Sequence, residues 1–134
     1  KQLLSLIKIC KNLIKKYNIK RKNIVGHSDI APSRKKDPGE KFPWKKLSKN
    51  KIGIWHQCNP NYLKKIRRIK VKKSKDKIKF IKSLNNIGYN VSANNKSQLI
   101  KVVKAFQRHF RKELINGLLD KECLIIAQNL SIKL

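Results

Sequence analysis

Leu3, Leu4, Ile7, Cys10, Leu13, Ile14 and Tyr17 recur at steps of three and four, with lysines between them. That spacing predicts an amphipathic helix whose lysines face water. The same period returns towards the other end of the chain. Ile78, Ile81, Leu84 and Ile87 mark one face of a helix ended by Gly88. Leu99, Ile100, Val103, Phe106 and Phe110 mark a second, and Leu118, Leu119, Leu124, Ile125 and Leu130 surround a third, short one. Three short helices make a minimal bundle with little core, the kind of unit that leans on a neighbour.

Between these ends the pattern changes. Asn18 suits a helix C-cap, and residues 20–22 form a charged turn. Asn23-Ile24-Val25-Gly26 then reads as a short buried strand ending at His27. A polar residue at a strand's C-terminal end is how an α/β fold commonly presents a reactive side chain. Residues 28–39 hold Pro32, Ser33, Asp37, Pro38 and Gly39 and read as loop. Phe42-Pro43-Trp44 opens a short helix, with proline suited to the first turn. Ile52-Gly53-Ile54-Trp55 is a second apolar patch. Residues 60–75 are dominated by basic side chains, with Leu63, Ile66, Ile69 and Val71 interspersed, and read as a linker or loosely packed strand. The expected division is residues 1–60, a basic linker at 61–75, and a helical module at 76–134.

The charge is extreme: 35 Lys and Arg against 7 Asp and Glu, a net +28. An anionic partner would explain it: nucleic acid, an acidic membrane surface or acidic wall polymers. So would codon composition. Only Arg21, Arg34, Arg67, Arg68, Arg108 and Arg111 are arginines, whereas phosphate-reading surfaces favour the arginine fork and interleaved aromatics. The charge therefore promotes adhesion to anionic envelope polymers without establishing a nucleic-acid role. The 40% apolar content argues against wholesale disorder. No apolar run approaches the ~20 residues of a membrane helix. Cys10, Cys58 and Cys123 are scattered and in no C-x-x-C arrangement, which argues against a disulfide framework or a thiolate zinc site.

The chemistry is concentrated in residues 26–44, GHSDIAPSRKKDPGEKFPW. An imidazole at His27 and a carboxylate at Asp37, ten residues on across a Pro-rich loop, can converge on one metal, and mixed N/O ligation suits zinc. Lys35 would bring a cation into the same pocket, able to stabilise a developing oxyanion. On spacing alone, solvated polar loop residues explain the same three positions.

The stretch resembles the signature of the type 2 N-acetylmuramoyl-L-alanine amidases: strand, G-H-S-D-I-A-P, a basic residue, K-x-D-P-G and F-P-W, without a gap. The resemblance implies the C-terminal part of a mixed-sheet α/β zinc amidase domain flanked by helices. It makes His27 and Asp37 zinc ligands and Lys35 the group that stabilises the tetrahedral intermediate. It also implies hydrolysis of the amide between N-acetylmuramic acid and L-Ala in peptidoglycan or muropeptides, in the bacterial cell envelope (periplasmic or secreted), with the cytoplasm as the alternative. The family's remaining zinc His and its catalytic Glu belong to earlier strands and have no counterpart here. The expectation is an N-terminally truncated piece, to be completed by an upstream fragment. The absence of Met is consistent with this. Of the other candidates, His56 is expected near the pocket rim, Glu40 as a solvated carboxylate and His109 on a helix surface. The run FIKSLNNIGYNVSANNKSQLIKVVKAFQRHF with INGLLDKECLIIAQNL resembles the three-helix peptidoglycan-binding module attached to wall hydrolases. A catalytically inactive peptidoglycan-binding fragment is the competing reading, and a basic nucleic-acid-binding protein the remote one.

Overall fold

A computed structural model describes residues 1–132. The elements are α1 (Gln2–Tyr17), a 3-10 turn at Arg21–Asn23, α2 (His27–Ile30), α3 (Trp44–Lys49), α4 (Pro60–Ile66), α5 (Ser74–Ile87), α6 (Lys96–Phe110) and α7 (Lys121–Ile132). The predicted helices are present. Asn18 closes α1 in the left-handed region at φ 49°, and Gly88 closes α5 at φ 119°. Asn59 caps α4, its side chain accepting from the amides of Asn61 and Tyr62, with Pro60 at the first turn.

The expected mixed-sheet α/β fold is not what the structure shows. Among the described residues the only β pairing is an isolated antiparallel bridge between Lys70 and Asp120. Ile24 and Gly26 do have extended backbones. A strand, however, needs a ladder partner for its amides and carbonyls, and none of the described residues pairs with them in a ladder. Nor is the segment buried as expected: Ile24 is half-buried and Val25 exposed. Asn23 instead belongs to the 3-10 turn and His27 opens α2, so the predicted strand is a short extended link between them, and the sheet that the resemblance implies is not found among the described residues.

Two apolar clusters hold the helices. Leu3, Leu6, Ile7, Cys10 and Ile14 of α1 pack on Trp44, Leu47 and Ile52. A larger cluster joins Leu63, Ile66 and Val71 to Phe80, Leu84, Val102, Phe106, Phe110, Ile126 and Leu130, on α5, α6 and α7. Trp55 packs against both clusters, so one side chain connects them. Residues 61–75 thus carry most of α4 and seat three side chains in the larger core.

Polar clamps complete the packing. Gln107 is fully buried, and its Oε1 accepts from the amides of Asn116 and Gly117 while its Nε2 donates to Asn116 Oδ1 and Leu118 O. That closes the loop between α6 and α7. Gly117 has φ 75° in this turn, a region costly for side-chain-bearing residues. Asp120 Oδ1 accepts the amide of Cys123 in the first turn of α7. Arg67 binds Glu122 through Nε and Nη2 at 2.7 and 2.9 Å, and Arg111 Nη1 reaches Asp120 at 2.9 Å and Glu122 at 3.3 Å. The network ties α4, the end of α6 and α7 together in a region where Arg111, Asp120 and Glu122 are all buried.

Candidate metal centre

The residues of the 26–44 stretch are brought together by its own backbone. Gly26 precedes α2, and its amide donates to Asp29 Oδ2 at 2.8 Å. The Ser28 amide donates to the Asp37 carbonyl at 2.8 Å, drawing the two ends of the loop side by side. The Asp37-Pro38 peptide is cis. Pro38 sits so close to Gly26 that a Cβ there would meet its Cδ at 2.5 Å. Only glycine permits this approach.

The outcome is that His27 Nδ1 and Asp37 Oδ2 lie 2.8 Å apart. Both side chains are open to solvent, 70% and 62% exposed. An ionised carboxylate only accepts, so the proton in this contact sits on Nδ1. Hydrogen bonding to His27 is the main influence holding the Asp37 carboxyl below its ordinary range, and the charge of Lys35 adds to it. Lys35 is itself exposed. The structure therefore brings His27 and Asp37 together and puts Lys35 within electrostatic reach.

Two ligands on a tetrahedral zinc with ~2.0 Å bonds stand roughly 3.3 Å apart. The pair fits two positions of such a set after a small opening and release of the Nδ1 proton. No group of three His, Cys, Asp or Glu side chains that could hold a metal exists among the described residues. His56 is half-buried and stacks on Trp55 at 5.1 Å between ring centroids. Glu40 is exposed, as expected.

His109 is not at a helix surface. Its side chain is 3% exposed, its ring lies flat between Trp44 (4.0 Å, 15°) and Phe110 (3.9 Å, 12°), and its Nδ1 contacts Asp29 Oδ2 at 2.7 Å. Asp29 Oδ1 accepts from the Tyr89 hydroxyl at 2.5 Å. Burial pulls the Asp29 carboxyl up, but the contacts with His109, Tyr89 and Gly26 outweigh it and hold the group below its ordinary value. Burial, with the Asp29 charge beside it, pushes the Tyr89 phenol well up. Asp29, Tyr89 and His109 were not read from the sequence as one cluster. Their contacts span 60 and 80 residues, which no local pattern reports.

Residues 1–40 match the N-acetylmuramoyl-L-alanine amidase family. Over 133 residues the chain is 37% identical to N-acetylmuramoyl-L-alanine amidase AmiD of Escherichia coli (strain K12), covering 96% of this chain and 47% of that protein. Over 42 residues it is 48% identical to 1,6-anhydro-N-acetylmuramyl-L-alanine amidase AmpD of Enterobacter cloacae, which is 31% of this chain and 22% of that one. The solved complex of E. coli AmiD with anhydro-N-acetylmuramic acid-L-Ala-D-gamma-Glu-L-Lys superposes with a TM-score of 0.82 at 36% identity, over 98% of this chain and 51% of that one. AmpDh3 of Pseudomonas aeruginosa, solved with anhydromuramic pentapeptide, gives 0.79 at 33% identity, over 98% and 52%. In sequence and in backbone, this chain is similar to about half of an N-acetylmuramoyl-L-alanine amidase, and it spans about half the length of E. coli AmiD.

Proposed function

We propose that this chain is the part of a zinc-dependent N-acetylmuramoyl-L-alanine amidase that carries two of its metal donors, His27 and Asp37. The observation behind the reading is the 2.8 Å apposition of His27 Nδ1 and Asp37 Oδ2, both within the segment that matches the amidase family. The substrate class is peptidoglycan or its muropeptide fragments; the anhydromuramyl peptides in the AmiD and AmpDh3 complexes support it. The site of action is then the bacterial cell envelope. No helix among the described residues is long and apolar enough to cross a membrane.

Zinc, when bound, supplies a water of lowered pKa and a Lewis acid for the scissile carbonyl. This chain's own contribution is the rest. His27 and Asp37 hold two positions of the metal set from the two ends of one clamped loop. Lys35 places a cation where an oxyanion would develop. The remaining donor and the carboxylate that moves the proton come from polypeptide outside residues 1–132. Residues 76–134 act as the wall-binding module, joined to 1–60 through 61–75.

The test is complementation. The part of E. coli AmiD left uncovered by this chain is co-expressed with it, and release of stem peptide from an anhydro-muropeptide is followed after zinc loading. Release that disappears in His27→Ala and Asp37→Ala supports the reading. Release as fast in His27→Ala as in the parent protein rules it out. A second reading, peptidoglycan binding without catalysis, is favoured by the lack of a three-donor group among the described residues. It predicts retention on insoluble peptidoglycan and no release in any combination.

A further inference from the structure

We propose that Tyr89 and His109 are positioning residues for the His27–Asp37 pair, acting through Asp29, so that the C-terminal helical part sets the geometry of the metal site. The inference rests on the assignment of His27 and Asp37 as metal donors.

Three contacts converge on the Asp29 carboxylate. Oδ1 takes the Tyr89 hydroxyl at 2.5 Å, while Oδ2 takes His109 Nδ1 at 2.7 Å and the Gly26 amide at 2.8 Å. Gly26 is the residue before His27, and it abuts Pro38, the residue after Asp37. The Ser28 amide closes the remaining side on the Asp37 carbonyl at 2.8 Å. Each proposed donor is therefore one residue from a clamped point.

The anchor is dry. The side chains of Asp29 and His109 are 6% and 3% exposed, and hydrogen bonds shielded from water are stronger and more directional. His109 is also fixed in plane by Trp44 on one face and Phe110 on the other. Trp44 comes from the same motif stretch as the metal pair, and Phe110 from the core of the helical part. Tyr89 is buried against Phe106. The donors themselves are exposed and carry little packing of their own. Their spacing must be imposed from behind, and Asp29 is the group that links them to the helices.

The experiment is calorimetric titration of the full 134-residue chain with zinc ions, alongside thermal melts. Tyr89→Phe removes one hydroxyl and keeps the ring packing; His109→Ala removes the second anchor. Each is expected to weaken zinc binding by about 10-fold. His109→Gln, whose amide can donate to Asp29, recovers most of the loss. Leu130→Ala, a core truncation on α7, lowers the melting temperature and leaves zinc affinity at the parent value. Unchanged affinity in Tyr89→Phe and His109→Ala, with His27→Ala abolishing binding, overturns the positioning role and leaves the metal assignment standing. An equal loss in Leu130→Ala overturns it too, since the effect is then only stability. Binding by His27→Ala equal to the parent's overturns the metal assignment itself and this inference with it.

Discussion

Gly26 and Pro38 touch so closely that a methyl group added to the glycine would lie 2.5 Å from the proline Cδ. This contact between the residue before one proposed donor and the residue after the other explains why the two meet. It also gives the first prediction. Gly26→Ala forces the two backbones apart, an overpacking cost of about 1–3 kcal/mol. The separation of His27 from Asp37 should grow with it. A melt and a zinc titration on the same sample check this, and unchanged values in both would show that the loop absorbs the methyl group elsewhere.

The second prediction concerns the charged network below the motif. Glu122 is 1% exposed and receives both Arg67 and Arg111. Glu122→Ala leaves Arg111 buried with Asp120 as its remaining ion-pair partner among the described residues, and removes the tie from α4 to α7. Breaking one side of a buried pair costs about 3–5 kcal/mol. Chemical denaturation should show that loss at unchanged m-value. A change below ~1 kcal/mol, the range of exposed pairs, would mean the network is hydrated in solution.

A feature of this fold is legible in the sequence to the extent that its signal is local. The i, i+3, i+4 spacing of Leu3 to Ile14 and of Leu99 to Phe110 is a property of one helix, and both helices are where that spacing puts them. The pairing of His27 with Asp37 is implied by the resemblance of residues 26–44 to the amidase signature; their spacing alone fits solvated loop residues equally well. The sheet was not legible. Ile24 adopts an extended backbone, but a backbone conformation does not reveal whether a neighbouring strand exists. His109 was misplaced for a different reason. A histidine beside Phe106 and Phe110 reads as the polar edge of the helix until its partner is known, and Asp29 is 80 residues away. The grouping of Glu122 with Arg67 and Arg111 was equally invisible, because charge patterning reports faces of single helices and not contacts between them.

Cysteine chemistry supplies the third prediction. Cys123 is fully buried, and burial pushes its thiol up to about 12. The thiolate is the reactive form, so at pH 8 this group is almost entirely protonated and also inaccessible. Cys10 and Cys58 are only half-buried. Brief treatment of the native chain with iodoacetamide should label Cys10 and Cys58 well before Cys123, which reacts only after denaturant is added. Peptide mass spectrometry reads the order directly, and early labelling of Cys123 would mean that α7 opens readily.

The last prediction separates Lys35 from the two donors beside it. Lys35 is exposed and near enough to Asp37 for its charge to help hold that carboxyl ionised, but an ammonium cannot ligate a metal. A group that acts on charge developing in the transition state changes kcat and leaves ground-state binding alone. In the protein complemented with the uncovered part of E. coli AmiD, Lys35→Ala should lower kcat by about 100-fold, the loss typical of one oxyanion donor. KM for the muropeptide and zinc affinity should stay within a few-fold of the parent values, unlike those of His27→Ala and Asp37→Ala. Lys35→Arg keeps the charge and should restore part of the rate, with the wider guanidinium limiting the fit. If Lys35→Ala instead loses zinc in step with activity, its charge serves to organise the Asp37 loop, and the oxyanion must be stabilised by another group.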